Sequence, residues 1–282
     1  MRGPLPPSDW PNADNSQIVA SVPHRWHVQI TGRGPDILLL HGAGASTHSW
    51  RHLMPLLADH HRLIAVDLPG HGFTRMGARG RSRLPDVAAD LGRLIAQEGW
   101  APRVIIGHSA GAAVALQLAR TLPDGVDRIV AINGALENFK GPAGWLFPLM
   151  AKMLALNPLT GLLISQRGTN VQSLISATGT KLDEDGLALY GRLMGTRAHV
   201  DGTLAMMAQW SLDDLNRALP QISVPTLFIH GENDSAVPIG VAETAAGVMP
   251  DARLLRLPDV GHLAQEEAPD AVAQAITQFL AG

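Results

Sequence analysis

Five residues, Gly107-His108-Ser109-Ala110-Gly111, restrict the fold of this chain more tightly than any other stretch. They fit G-x-S-x-G, the pattern of a strand-to-helix turn sharp enough to lift a serine hydroxyl clear of a sheet edge. The flanks suit such a turn. Arg103-Val104-Ile105-Ile106 reads as a short buried strand, and Ala112-Ala113-Val114-Ala115-Leu116-Gln117-Leu118-Ala119-Arg120 reads as a helix. A serine held in a strained backbone needs neighbours without a Cβ, so that strand and helix approach closely, and glycine stands on both sides.

The same strand-then-helix rhythm runs along most of the chain. Apolar runs at 18–22, 25–30, 37–40, 63–66, 104–106, 129–132, 226–229 and 254–257 read as eight strands. Helical stretches at 50–58, 85–98, 110–121, 240–248 and 269–280 fill most of the gaps. The alternation predicts an α/β fold, an eight-stranded and mostly parallel sheet with helices on both faces. The first two runs form a hairpin, which predicts an antiparallel edge. Between residues 135 and 210 the rhythm fails: several helices are predicted there and no strand, with breaks at Gly141-Pro142, Asn157-Pro158, Gly168 and Gly195. Since 129–132 and 226–229 should still be sheet neighbours, 135–210 is predicted to be an inserted helical cap on a core formed by 1–134 and 211–282.

Composition removes several function classes. With 46% hydrophobic residues in 282, the chain can bury a large core. Twenty-five acidic against 22 basic residues leave a net charge of −3, so no general attraction to nucleic acid is expected. The absence of cysteine excludes disulfides, thiolate metal sites and thiol nucleophiles, and it fits a reducing, cytoplasmic setting. No run approaches the roughly 20 apolar residues of a membrane span, and no signal peptide is expected. No phosphate-binding G-x-x-x-x-G-K-[ST] loop occurs, and no cofactor is expected. His48 and His52 stand four apart but lack the glutamate of H-E-x-x-H, so no metal site is expected either.

A serine hydroxyl is a weak nucleophile at neutral pH. It needs a general base, and the base needs a partner that fixes its tautomer and stabilises its cation. Behind an elbow of this kind the chain order is serine, acid, histidine. The acid candidate is Asp234, in His230-Gly231-Glu232-Asn233-Asp234, just past the seventh strand; the base candidate is His262, just past the eighth. Glu232 and Asp259 are weaker acids by position, and the sixth strand ends in Asn133-Gly134, which offers none. An oxyanion needs two backbone N–H donors. Ala110, directly after the nucleophile, should give one. The other should come from His41-Gly42-Ala43-Gly44-Ala45, with Ala43 the first choice and Gly42 the alternative. Asp67 reads as a structural loop acid, and His41 and His108 as groups that flank the site.

With Gly107–Gly111, Asp234, His262 and the 41–45 loop in place, nearly the whole chain resembles the α/β-hydrolase superfamily. Asp67-Leu68-Pro69-Gly70-His71-Gly72 is similar to that superfamily's D-x-x-G-x-G loop. The resemblance implies hydrolysis under a helical cap, with Ser109, His262 and Asp234 as the triad. A serine rather than an aspartate at the elbow, and Tyr190 as the only tyrosine, argue against dehalogenase and epoxide hydrolase chemistry. Further stretches lie outside those general motifs: Asp9-Trp10-Pro11-Asn12, Arg25-Trp26-His27-Val28-Gln29, Gly44-Ala45-Ser46-Thr47-His48-Ser49-Trp50-Arg51, Leu154-Ala155-Leu156-Asn157-Pro158-Leu159 and Ala205-Met206-Met207-Ala208. In these the chain resembles the magnesium chelatase accessory family of bacteriochlorophyll biosynthesis in phototrophic bacteria. That resemblance implies a place in pigment synthesis and a magnesium chelatase subunit as partner, and names no substrate. For a serine hydrolase a mostly apolar molecule admitted under the cap, such as a tetrapyrrole ester or another pigment intermediate, is expected. A porphyrin-binding module without catalysis, and a carboxylesterase unrelated to pigments, are the readings it leaves beside the first.

The substrate contacts expected around the site are Gly42, His108 and, from the cap, Trp145 and Phe147 in the apolar stretch 145–150. Such a surface would line a pocket, rest peripherally on the inner membrane, or simply pack on the core. Arg75, Arg79, Arg81 and Arg83 crowd the next loop. Arg81 and Arg83 are expected to hold substrate carboxylates, against the plainer reading of a solvated loop.

Overall fold

A computed structural model describes residues 5–78, 80–122, 125–138 and 171–282. Eight strands, β1 (Ser16–Ser21), β2 (His24–Thr31), β3 (Asp36–Leu40), β4 (Arg62–Val66), β5 (Val104–His108), β6 (Arg128–Ile132), β7 (Thr226–Gly231) and β8 (Ala252–Leu257), form one sheet in the order β1-β2-β4-β3-β5-β6-β7-β8. The expected hairpin is its antiparallel edge, and β3 to β8 run parallel.

The central strands lack polar alternation because both faces are buried. Leu38, Leu40, Ile64, Val66, Ile105, Ile129, Ala131 and Phe228 face one apolar cluster, shared with helices α2 (Leu84–Glu98) and α3 (Ala110–Ala119). Their neighbours Ile37, Leu39, Leu63, Ala65, Ile106, Val130, Ile132 and Ile229 face the other, shared with α1 (Leu53–Leu57) and a C-terminal helix at Pro269–Ala281. Fully burying one such side chain contributes roughly 1.5–3 kcal/mol, so a polar residue on either face would be costly.

The interval after β6 carries, among its described residues, helices α4 (Val171–Ser176), α5 (Glu184–Met194) and α6 (Arg197–Gln209) and no strand. Gly195 breaks the chain between α5 and α6, as expected. β6 nevertheless pairs directly with β7, Ile129 opposite Thr226. Then come α7 (Asp213–Ala218), α8 (Gly240–Val248), α9 (Ala264–Glu267) and α10, the C-terminal helix. No described helix is long and apolar enough to cross a membrane. The Asp9-Trp10 motif anchors α5 to the body: Arg192 pairs with Asp9 at 3.0 Å and lies over the Trp10 ring, which is buried against Leu189 and Leu193.

One helix differs from its expectation. The stretch 50–58 divides into a 3-10 turn, Thr47–Trp50, and the short α1. The Thr47 N–H is taken by Asp67 Oδ1 at 2.7 Å, and Ser46 caps the turn, so this backbone is bound to the β4 loop before an α-helix can begin.

The elbow depends on two close approaches. A Cβ on Gly107 would lie 2.3 Å from the Gly111 carbonyl oxygen, and one on Gly111 would lie 2.1 Å from the Leu40 carbonyl oxygen. Neither contact can yield without moving backbone. Gly111→Ala should therefore lower stability by about 3 kcal/mol or more. Thermal unfolding followed by circular dichroism checks this; an unchanged midpoint would show that the elbow has slack.

Candidate active site

Ser109 sits between β5 and α3 with φ 51° and ψ −116°, a backbone that costs a residue with a side chain about 1–3 kcal/mol. Its N–H donates to Ile132 O at 3.0 Å, and its carbonyl accepts from Ala112 and Ala135 N–H at 3.1 Å each. The elbow is thus sewn to the end of β6. The half-buried Ser109 hydroxyl has no hydrogen-bond partner among the described residues.

Asp234 and His262 meet as the sequence suggests. His262 Nδ1 lies 2.7 Å from Asp234 Oδ2. The other carboxylate oxygen accepts the Ala236 and Val237 N–H groups, each at 2.8 Å, and Asn133 Nδ2 donates to Oδ2 at 2.7 Å. Burial alone would raise this carboxyl, but His262, the Val237 N–H and Asn133 outweigh it and hold the group below its ordinary range. The rival acids Glu232 and Asp259 are exposed. Asn133, set aside because it offers no acid, is part of the site: at φ 44° it orients the acid from β6 and also donates to Gly261 O.

The expected donors are both free. Neither the Ala43 nor the Ala110 N–H is bonded among the described residues. The Gly42 carbonyl accepts from His41 Nδ1 at 2.7 Å and from the Ala45 N–H at 3.2 Å. In a trans peptide the N–H points opposite to the C=O, so fixing that carbonyl fixes the direction of the Ala43 N–H. Gly42 itself is a spacer, since a Cβ there would lie 2.9 Å from Ser109 Cβ and from His108 Nδ1.

Other expectations need correction. His108, expected to contact substrate, is buried, and its Nε2 bonds the His262 carbonyl at 2.8 Å, bracing the backbone at His262. Burial, with His262 nearby, pushes it down to about 3, so it is neutral. Arg81 is committed to the buried Asp90, with contacts of 2.6 and 2.9 Å, and Arg83 pairs with Asp86 at 2.7 Å. Both carboxylates lie on α2, and they take the guanidinium groups that were expected to hold a substrate. Trp145, Phe147 and Arg79 lie outside the described residues. His48 is buried and bonded to Ser46 Oγ at 2.7 Å while His52 is exposed. No group of three metal-ligating side chains occurs among the described residues. Asp67 is structural as expected, accepting from His27, Thr47 and Phe73.

Residues 35–269 match the model of the α/β-hydrolase fold family. The chain belongs to that family. Across 98% of its length it is 44% identical to the magnesium-chelatase 30 kDa subunit of Rhodobacter capsulatus, covering 98% of that protein. It is 31% identical to the pimeloyl-[acyl-carrier protein] methyl ester esterase of Xanthomonas oryzae pv. oryzae, over 90% of this α/β hydrolase and 98% of the relative. Among solved structures, bromoperoxidase from Bacillus anthracis superposes with a TM-score of 0.80 at 20% identity, over 95% of this chain and all of the other, which shows the shared fold.

Burial keeps histidines of this α/β hydrolase neutral. His24 and His199 are pushed down to about 4 and His108 to about 3. In the unfolded chain they titrate near 6.5, so between those values the unfolded state binds protons that the folded state refuses. Their contribution is complete above pH 6.5 and is lost as pH falls toward the folded values, by about 1.4 kcal/mol per pH unit for each histidine. Urea unfolding at pH 7.5 and pH 5.0 should show a much lower midpoint at pH 5.0. Equal midpoints would mean that these rings are not buried as neutral groups.

Proposed function

We propose that this α/β hydrolase is a serine hydrolase working through an acyl-enzyme, with residues 135–210 as a cap over the site. The bond between Asp234 and His262, together with an elbow serine whose hydroxyl is unused, carries this reading. Ser109 Oγ attacks the acyl carbon and its proton passes to His262 Nε2. Asp234 holds the imidazole by Nδ1 and stabilises the imidazolium. The Ala43 and Ala110 N–H groups receive the oxyanion. The tetrahedral intermediate collapses, the ester C–O bond breaks, and His262 gives its proton to the leaving alcohol. Water, deprotonated by His262, then attacks the acyl carbon and releases the acid and Ser109. His108, neutral and 4.9 Å from the His262 ring, places no second cation beside the imidazolium.

The likeness to a magnesium-chelatase subunit supports a role beside that enzyme in bacteriochlorophyll synthesis, with a mostly apolar ester such as a tetrapyrrole ester as substrate. The likeness to a methyl ester esterase supports the bond type. Ser109→Ala and His262→Ala should each lower kcat/KM on a p-nitrophenyl ester by about 10⁴ or more, and Asp234→Asn by roughly 10³–10⁴. Retained turnover in a folded His262→Ala protein would contradict the assignment.

A second reading, a module that binds a porphyrin for the chelatase, is favoured by one observation. A cavity of about 1410 Å³, whose described lining does not include the elbow, opens between the loop after Gly72 and helices α5 and α6. Trp10, Phe73, Met76, Leu193 and Ala205 give it an apolar wall, and Arg75 stands at it without an ion pair among the described residues. On this reading protoporphyrin IX binds equally to wild type and Ser109→Ala, and about tenfold more weakly to Arg75→Ala, the loss of one charged hydrogen bond. Fluorescence titration checks it; equal affinity for Arg75→Ala would remove this cavity from consideration.

A further inference from the structure

His199, on α6, is bound to two loops of the sheet core, and neither a motif nor the proposed chemistry gives it a role. Its Nδ1 accepts the Gly72 N–H at 3.0 Å, so that nitrogen carries the lone pair. Its Nε2 therefore carries the hydrogen and donates to Gly44 O at 3.1 Å. His41, directly after β3, makes the corresponding pair of bonds with its two nitrogens exchanged. Its Nε2 accepts the Leu68 N–H at 2.9 Å, and its Nδ1 donates to Gly42 O at 2.7 Å. Two neutral imidazoles thus take N–H groups from the 67–72 loop and give N–H groups to the carbonyls on either side of Ala43. His71 lies between them, its ring centroid 5.4 Å from each.

The helix that carries His199 has no slack against these loops. A Cβ on Gly202 would lie 2.1 Å from the Gly70 carbonyl oxygen, and Thr203 Cγ2 lies 3.8 Å from the place where a Cβ on Gly44 would stand. Gly44 has φ 77°, a left-handed conformation that glycine adopts without strain as one of many open to it, so its hydrogen bonds rather than sterics fix the peptide's orientation. We propose that His199 is a positioning residue: it completes a two-imidazole clamp that holds the Ala43 N–H toward the Ser109 site, so that oxyanion stabilisation depends on the seating of α6. This deepens the serine hydrolase reading and rests on it.

The clamp acts on the transition state, because the ground-state ester makes less use of the Ala43 N–H than the oxyanion does. His199→Phe keeps a ring of similar size and removes both bonds. On p-nitrophenyl acetate it should lower kcat about tenfold to a hundredfold with KM within about twofold, the loss expected when one oxyanion donor is misplaced. His199→Gln, which can still donate to Gly44 O, should recover most of that loss. Hydrogen–deuterium exchange over residues 41–47 should be faster in His199→Phe than in wild type, with global unfolding midpoints recorded alongside. An unchanged kcat, a loss confined to KM, or unchanged exchange of 41–47 in a folded variant overturns the proposal. If wild type does not turn over the ester but the loop exchanges faster in the variant, the hydrolase reading falls and the clamp stands. Should His199→Phe fail to fold, ¹⁵N spectra of the wild-type ring decide: a neutral ring protonated on Nε2 at pH 7 supports the clamp, and a ring protonated on Nδ1 or a charged ring refutes it.

Discussion

The backbone of Ser109 is the constraint on which the rest of the site depends. A φ of 51° with ψ −116° is tolerable only where the surroundings leave no alternative, and here the turn is fixed on three sides. Gly107 and Gly111 let strand, helix and the Leu40 carbonyl come within distances no side chain would allow. The Ser109 N–H and carbonyl are bonded to β6 and to the segment that follows it. Because β6 is held in register by β5 and β7, the strain at one residue is balanced by the pairing of the parallel sheet. The same crowding brings Gly42 against Ser109, and so sets the Gly42–Ala43 peptide near the elbow.

Charge around this elbow is sparse and deliberately placed. Asp234 and Asp67 are buried carboxylates held below their ordinary range by hydrogen bonds and histidine partners that outweigh burial. The surrounding imidazoles, His41, His71, His108 and His199, are lowered chiefly by burial and stay neutral. A neutral ring can donate with one nitrogen and accept with the other, which lets His41 and His199 each join a carbonyl to an N–H across a loop boundary, while His71 and His108 each bond a single carbonyl. Histidine is used here as a backbone connector. The imidazolium of the proposed mechanism would form at His262 without a charged neighbour of the same sign in contact with it.

Much of the fold was legible because strand and helix leave local signals. All eight strands were read within a few residues: the central runs are apolar because both faces of the sheet are buried there, and the edge runs, which carry Arg25, His27 and Arg256, were read from their place in the alternation. The elbow at Ser109 and the meeting of Asp234 with His262 were legible through order and loop position. What escaped was contact between distant segments. Nothing near Asn133 announces that it binds Asp234, 101 residues later. His199 carries no motif, and its two partners lie more than a hundred residues upstream. Arg81 and Arg83 were misread because a loop charge looks available until its partner is placed. Asp86 and Asp90, four apart on one face of α2, were the overlooked signal.

The family hosts many reactions on one scaffold, so the site has to carry the argument for function. Its central claim is that Ser109 is an activated nucleophile. Labelling wild type and Ser109→Ala with a fluorophosphonate, read by intact mass, tests it most directly. The account predicts one adduct on wild type and none on Ser109→Ala. A folded wild-type protein that takes no adduct, or a variant labelled equally well, would contradict it.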